Sequence, residues 1–172
     1  ARLETETDRQ GLADLGYPPI QIVACNLYPF SDAARQNPPL DDLSLLEMID
    51  IGGPTMVRAS AKNHKNVIIA SNPERYPSII KALEKAGGTD GVSLDLRRAL
   101  ALEAYEHTAA YDTAISDELH ARWIGRPEHS DDTSVQTERL PETLLVSAMK
   151  SHPLRYGENS HQAAALYVDP KF

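Results

Sequence analysis

Cysteine and tryptophan each occur once in these 172 residues, phenylalanine twice and methionine three times, and aromatic side chains make up only 6% of the chain. The lone Cys25 excludes an internal disulfide framework, so packing must hold the fold together, as in a reducing compartment. Its position at the end of an apolar run reads as a small buried residue rather than a reactive thiol. No run approaches the roughly 20 apolar residues needed to cross a bilayer, and no signal-peptide pattern opens the chain, so a cytoplasmic protein is expected. Basic residues are outnumbered 17 to 25 by acidic ones, a net charge of −8. That balance excludes a generic nucleic-acid binder, because nothing would replace the counterions of a phosphate backbone. Any anionic ligand must be held by a local cluster. The six histidines and Cys25 show no zinc-like spacing, and no Gly-rich phosphate loop or Rossmann fingerprint is present, so neither a metal nor a dinucleotide is expected. The chain opens on Ala1 rather than methionine, which suggests a processed or partial polypeptide.

What is present is enough for one domain with a hydrophobic core and a short piece of a second. Residues 1–19 are polar, with room for a short helix before Gly16-Tyr17-Pro18-Pro19 forces an extended entry. Residues 20–25 form an apolar, β-branched run, the pattern of a parallel strand covered on both faces. Residues 31–41 read as a loop around Asn37-Pro38-Pro39, and residues 40–49 as a helix facing inward through Leu43, Leu46 and Met48. Gly52-Gly53-Pro54 opens a second helix running to about Asn63. Residues 66–71 are another buried strand, and Asn72-Pro73 starts a helix that ends at Gly87-Gly88, with Pro77 distorting its first turns. Residues 93–123 are helical, with Leu96, Leu100, Ala104, Thr108, Tyr111, Ile115 and Leu119 on one face and Arg97 and Glu103 off it. Residues 127–141 are acidic and aperiodic, the composition of a linker, and a new element begins near Leu144. Strands alternating with helices predict an α/β fold with a parallel sheet.

Ligands of such sheets gather at the C-terminal ends of strands, where Asn26 and Tyr28 fall. Alone, Asn26 also fits a turn former, and Tyr28 with Phe30 fits packing. Asp50-Ile51-Gly52-Gly53 brings a carboxylate and exposed N–H groups to a helix N-terminus, favourable for anionic or carbonyl oxygen. Helix capping by Asp50 is the alternative. Thr55, Arg58 and Lys62 share one helical side, a stripe that solvent alone could explain. Neighbouring cations would also make Lys62 a proton donor near neutral pH. His64 reads as a helix C-terminal cap, and His107 as a core histidine.

In this order, the segments Asn26-Leu27-Tyr28-Pro29-Phe30, Asp50-Ile51-Gly52-Gly53-Pro54 with Ala61-Lys62-Asn63-His64, Glu106-His107-Thr108-Ala109-Ala110-Tyr111-Asp112 and Leu154-Arg155-Tyr156-Gly157-Glu158-Asn159 resemble the bifunctional purine-biosynthesis family. That family joins an AICAR transformylase to an IMP cyclohydrolase. The resemblance implies a methylglyoxal-synthase-like α/β fold, a parallel sheet with flanking helices plus a helical C-terminal subdomain. Residues 1–125 would be a cyclohydrolase-like domain lacking its N-terminal segment, 126–143 an acidic linker or insertion, and 144–172 the start of the transformylase domain.

The activity so implied closes formyl-AICAR to IMP with loss of water, without metal or redox cofactor. The parent enzyme also formylates AICAR from 10-formyltetrahydrofolate. By motif, Lys62 resembles the catalytic lysine, and Tyr28 and Asp50 its orienting and proton-handling partners. Cys25, Asn26, Asp50, Ile51 and Gly52 match nucleotide-contacting positions, and Arg155 and Tyr156 match the pair that contacts AICAR. Asn159-Ser160-His161-Gln162 departs from the family's Asn-Pro-His-Gln, which puts the geometry of that turn in doubt. Implied partners are formyl-AICAR, IMP and AICAR, a second copy in a homodimer, and the missing N-terminal segment and transformylase domain. Without those parts, an incomplete sheet and little activity are expected. A non-catalytic nucleotide-binding regulatory module and an inactive fragment are the rival readings.

Overall fold

A computed structural model of the chain describes residues 3–124 and 148–168. Two compact units divide near Glu118. The acidic segment expected as a linker at 126–143 lies outside the described residues.

In the first unit, Thr5 caps α1 (Glu6–Asp14) by accepting from the Asp8 N–H, and the Asp8 carboxylate reaches back to the Thr5 N–H. This reciprocal pairing satisfies two donors that a helix start leaves open. Beyond the two prolines, β1 (Ile22–Ala24) pairs in parallel with β2 (Ile68–Ala70), Val23 opposite Ile69. The strands differ in cover. All of β2 is buried, whereas in β1 only Val23 is half-buried and Ile22 is 41% exposed. The expected double cover of the first strand is therefore corrected. A β-branched run looks the same whether one face or both are packed, and the side chains of Ile20 and Ile22 have no such cover among the described residues.

Residues 31–41 are not all loop, since α2 (Phe30–Ala34) begins directly after Pro29 and buries Phe30 and Ala33. The helix expected over 40–49 shrinks to α3 (Asp42–Leu46). Asp41 caps it, accepting at 2.9 Å from the Ser44 N–H, and these bonds to Ser44 hold the Asp41 carboxyl below its ordinary value. The inward residue is Leu45, while Leu43 is 77% exposed. Met48 and Ile49 continue as tight turns, their N–H groups bonding to Leu45 and Leu46 carbonyls.

The following helix, α4 (Gly52–Lys62), matches its expected span and packs Val57 and Ala61 against β2. After β2 a 3₁₀ turn (Pro73–Arg75) leads into α5 (Tyr76–Ala86). Pro77 explains this tightened start: lacking an N–H, it cannot bond back to the Pro73 carbonyl, which Tyr76 takes instead. Gly87 ends α5 in the left-handed region at φ 70°, where a side chain would be strained.

One continuous helix, α6 (Leu94–Trp123), follows, burying Leu100, Ala101, Ala104 and Thr108. Arg97 is also buried, against expectation: its guanidinium donates to the carbonyls of Val92 and Thr89, holding the loop before the helix. Its Nη1 has no partner among the described residues. His107, expected in the core, is exposed. No helix of the described residues is long and apolar enough to cross a membrane.

In the second unit, β3 (Met149–Leu154) pairs antiparallel with β4 (Ala164–Val168), with a bulge between Lys150 and His152. Among the described residues, the part expected as a helical C-terminal subdomain shows the end of α6 and an antiparallel hairpin over 149–168.

Candidate functional site

The C-terminal end of β1 and the N-terminus of α4 meet. The Cys25 N–H, just past the strand, bonds to the Ala70 carbonyl at 3.1 Å, and the Cys25 Sγ lies 4.0 Å from the Gly53 carbonyl. This brings the Asn26–Phe30 segment beside the Asp50–Pro54 turn. Asp50 caps α4: its Oδ1 accepts from the Gly53 N–H at 2.8 Å, and its Oδ2 has no hydrogen bond among the described residues. Gly53 is buried beneath the carboxylate, and a Cβ there would run into Asp50 Oδ2 and lie 2.8 Å from Asp50 Cγ and 2.9 Å from Leu27 Cδ2. Only glycine lets these groups come so close. The capping contact expected as the alternative for Asp50 is present, and it engages one of the two carboxylate oxygens.

Around this turn, Asn26, Tyr28, Ile51 and Gly52 are exposed, Tyr28 at 54%. Cys25 and Asp50 are half-buried. Burial raises the Cys25 thiol above its ordinary value, and the Asp50 charge raises it further. The thiol therefore stays protonated near neutral pH. Asp50→Asn is expected to speed iodoacetamide alkylation of Cys25 at pH 8, because it removes the charge opposing the thiolate while keeping the oxygen that caps α4. Mass spectrometry of timed samples would measure it, and equal rates in both proteins would show that the carboxylate does not act on the sulfur.

The stripe on α4 is partly engaged. Thr55 Oγ1 donates to the Ile51 carbonyl at 2.9 Å, and the Arg58 guanidinium stacks on Tyr105 of α6, 5.5 Å from the ring centre. Lys62 is exposed. It stands at the other end of α4 from Asp50, and at about 1.5 Å of rise per residue roughly 14 Å of helix separates Gly53 from Lys62. No direct ion pair joins the two groups. His64 caps the same end, its Nδ1 3.2 Å from the Ala61 carbonyl.

A cleft of about 390 Å³ opens elsewhere, at the N-terminal ends of the strands, lined by Gln21, Lys65, Asn66 and Arg97 among others. It contains none of the motif residues.

Two contributors were not singled out from the sequence. Tyr111 was counted only for its apolar ring, yet its hydroxyl accepts from the Asp50 N–H at 2.8 Å. Gly53 reads from the sequence as helix punctuation with an exposed N–H, whereas the structure buries it and gives that N–H to Asp50, so it is not open to a ligand. The Glu106–Asp112 string was the available signal for Tyr111.

In the second unit, Arg155 and Tyr156 leave β3 at the start of the hairpin loop, both exposed. The loop is closed by Gly157 N–H to Gln162 O at 2.9 Å, Gln162 N–H to Asn159 O at 3.0 Å and Asn159 N–H to Gln162 Oε1 at 2.9 Å. Ser160 lies within this closed turn.

Residues 60–172 match the family model described as the AICARFT/IMPCHase bienzyme. The chain belongs to this family. It is 44% identical over 159 residues to the bifunctional purine biosynthesis protein PurH of Cutibacterium acnes and 47% identical over 159 residues to that of Persephonella marina. Each alignment covers 92% of this chain and 28% of the relative, so the chain spans under a third of the length of these curated family members. Among solved structures, the crystal structure of ForH aligns with a TM-score of 0.61 and 36% identity, over 72% of this chain and 61% of that one. The likeness supports a mixed α/β fold with a small parallel sheet.

Proposed function

We propose that residues 1–125 carry part of an IMP cyclohydrolase site of methylglyoxal-synthase-like fold, and that the Arg155–Tyr156 hairpin belongs to the AICAR-binding part of a transformylase. The observation that carries this reading is the meeting of the Cys25–Asn26 strand end with the Asp50–Gly53 helix start. Cys25, Asn26, Ile51 and Gly52 would contact the nucleotide there, where exposed N–H groups and the helix dipole favour oxygen-rich ligands.

In the proposed reaction the carboxamide nitrogen of formyl-AICAR attacks the formyl carbon. A C–N bond forms, and the formyl oxygen leaves as water with one hydrogen from the carboxamide nitrogen and one from the formamido nitrogen. An amide nitrogen is a poor nucleophile. The Oδ2 of Asp50 takes or steers its proton, Tyr28 orients the substrate, and Lys62 supplies charge and a proton to the departing oxygen.

The whole enzyme, by the same reading, formylates AICAR from 10-formyltetrahydrofolate, works as a cytoplasmic homodimer, and includes an N-terminal segment that completes the sheet beside β1.

The test is the absorbance change on IMP formation from formyl-AICAR, with this chain alone and with a chain extended to the length of its relatives. Turnover is expected in the extended chain, and Lys62→Met should lower it by about a hundredfold or more. A folded Lys62→Met protein with unchanged turnover would remove Lys62 from the mechanism. IMP binding without turnover in the extended chain would instead favour a regulatory nucleotide-binding module.

A further inference from the structure

Three of the four sequence segments converge on one side chain. Tyr111, in the Glu106–Asp112 segment of α6, accepts from the Asp50 N–H at 2.8 Å and stands 3.3 Å from the Met48 carbonyl, to which its hydroxyl donates. Its ring meets Phe30, the last residue of the Asn26–Phe30 segment, edge to face with centroids 6.4 Å apart. Phe30 is fully buried. One residue therefore holds the backbone of Asp50 with its hydroxyl and the segment after β1 with its ring.

We infer that Tyr111 is a positioning residue for Asp50, fixing the height of the Asp50 carboxylate relative to the Asn26–Tyr28 strand end. This rests on the reading of Asp50 as a proton-handling group. The side chain of Asp50 is already tethered to Gly53, but that bond belongs to α4 and moves with the turn. Tyr111 ties the backbone of the same residue to a different helix. With both ends held, the carboxylate has one orientation instead of a fan of turn conformations, and reaction rates are sensitive to such misplacement. The hydroxyl is suited to the task because burial raises its pKa above the ordinary tyrosine value. It stays a neutral phenol that can accept and donate at once.

Tyr111→Phe removes the hydroxyl and keeps the ring on Phe30. Two measurements decide the matter. In residues 1–172, amide hydrogen exchange of Asp50 followed by NMR is expected to quicken about fivefold to tenfold, the worth of one such hydrogen bond. In the extended chain, kcat for IMP formation is expected to fall about tenfold with KM unchanged. Tyr105→Phe, one helix face away and without contact to Asp50, should alter neither. Unchanged exchange at Asp50 would overturn the proposal. So would a melting temperature lowered as far as by truncating Phe30, since that would make Tyr111 a structural support only. Asp50→Asn in the extended chain separates the two readings. If it leaves turnover intact, the catalytic reading of Asp50 fails. If it abolishes turnover while Tyr111→Phe leaves kcat unchanged, the positioning role alone fails.

Discussion

Gly53→Ala is expected to destabilise the first unit by about 1–3 kcal/mol and to cost far more in activity than in stability. An alanine inside a helix normally gains up to about 1 kcal/mol over glycine, so the sign must be argued. The new methyl would stand 2.8 Å from Asp50 Cγ and 2.9 Å from Leu27 Cδ2, both inside contact distance. Leu27 is half-buried, and Asp50 is pinned by the Gly53 N–H and by Tyr111. Relief requires Asp50 to swing off the helix N-terminus, with loss of its hydrogen bond, about 1 kcal/mol more. The clash and the lost bond together exceed the helix-propensity gain. Urea denaturation would measure the first effect and IMP formation by the extended chain the second. A Gly53→Ala protein as stable and as active as the parent would mean that the turn relaxes around a methyl group and does not hold Asp50 in one place.

The second large effect is expected at Phe30. Truncation to alanine should cost about 3–5 kcal/mol, a large part of the 5–15 kcal/mol by which a domain of this kind is stable. Phe30 is 1% exposed and packs with Ala33, Leu45 and Tyr111 in a small cluster separate from the main core around β2. A small cluster has few neighbours able to close a phenyl-sized void, so the upper part of the range applies. The Asn26–Tyr28 segment lies directly before this anchor and should lose its place with it. Thermal unfolding with NMR of the Asn26 and Tyr28 amides would check both. Loss confined to stability, with those amides unshifted, would show that the segment is held by β1 alone.

Legibility of the sequence followed the range of the forces involved. β2, α4 and the Gly87 stop of α5 were readable because β-branched composition, a Gly-Gly-Pro start and a left-handed glycine act within a few residues. The run at β1 was recognisable as a strand, but the cover on its outer face depends on neighbours that composition does not encode. Residues 40–49 misled for a related reason. Leu43, Leu45 and Leu46 are equally apolar, and the choice of Leu45 as the buried one is made by Phe30 and Ala33. Arg97 was set outside the core by its charge, although two loop carbonyls satisfy its guanidinium. The sequence placed Asn26 at a strand end and Asp50 at a helix start, and in the structure Cys25 and Leu27 of the first segment lie against Gly53 of the second, as strand ends and helix starts of an α/β unit commonly do. The hydroxyl of Tyr111 could not be assigned from periodicity, which sees only an aromatic ring in an apolar row.

The bond between Asp50 and Tyr111 spans 61 residues of chain. Contacts of such separation form after local helices and turns, since a long loop must first be closed. During synthesis, β1, the Asp50 turn, α4 and β2 all emerge before Tyr111 does. The surface built from Asn26, Asp50 and Gly53 can therefore take its final shape only after most of α6 has left the ribosome, so a chain ending between β2 and Tyr111 would hold the right residues in an unset arrangement.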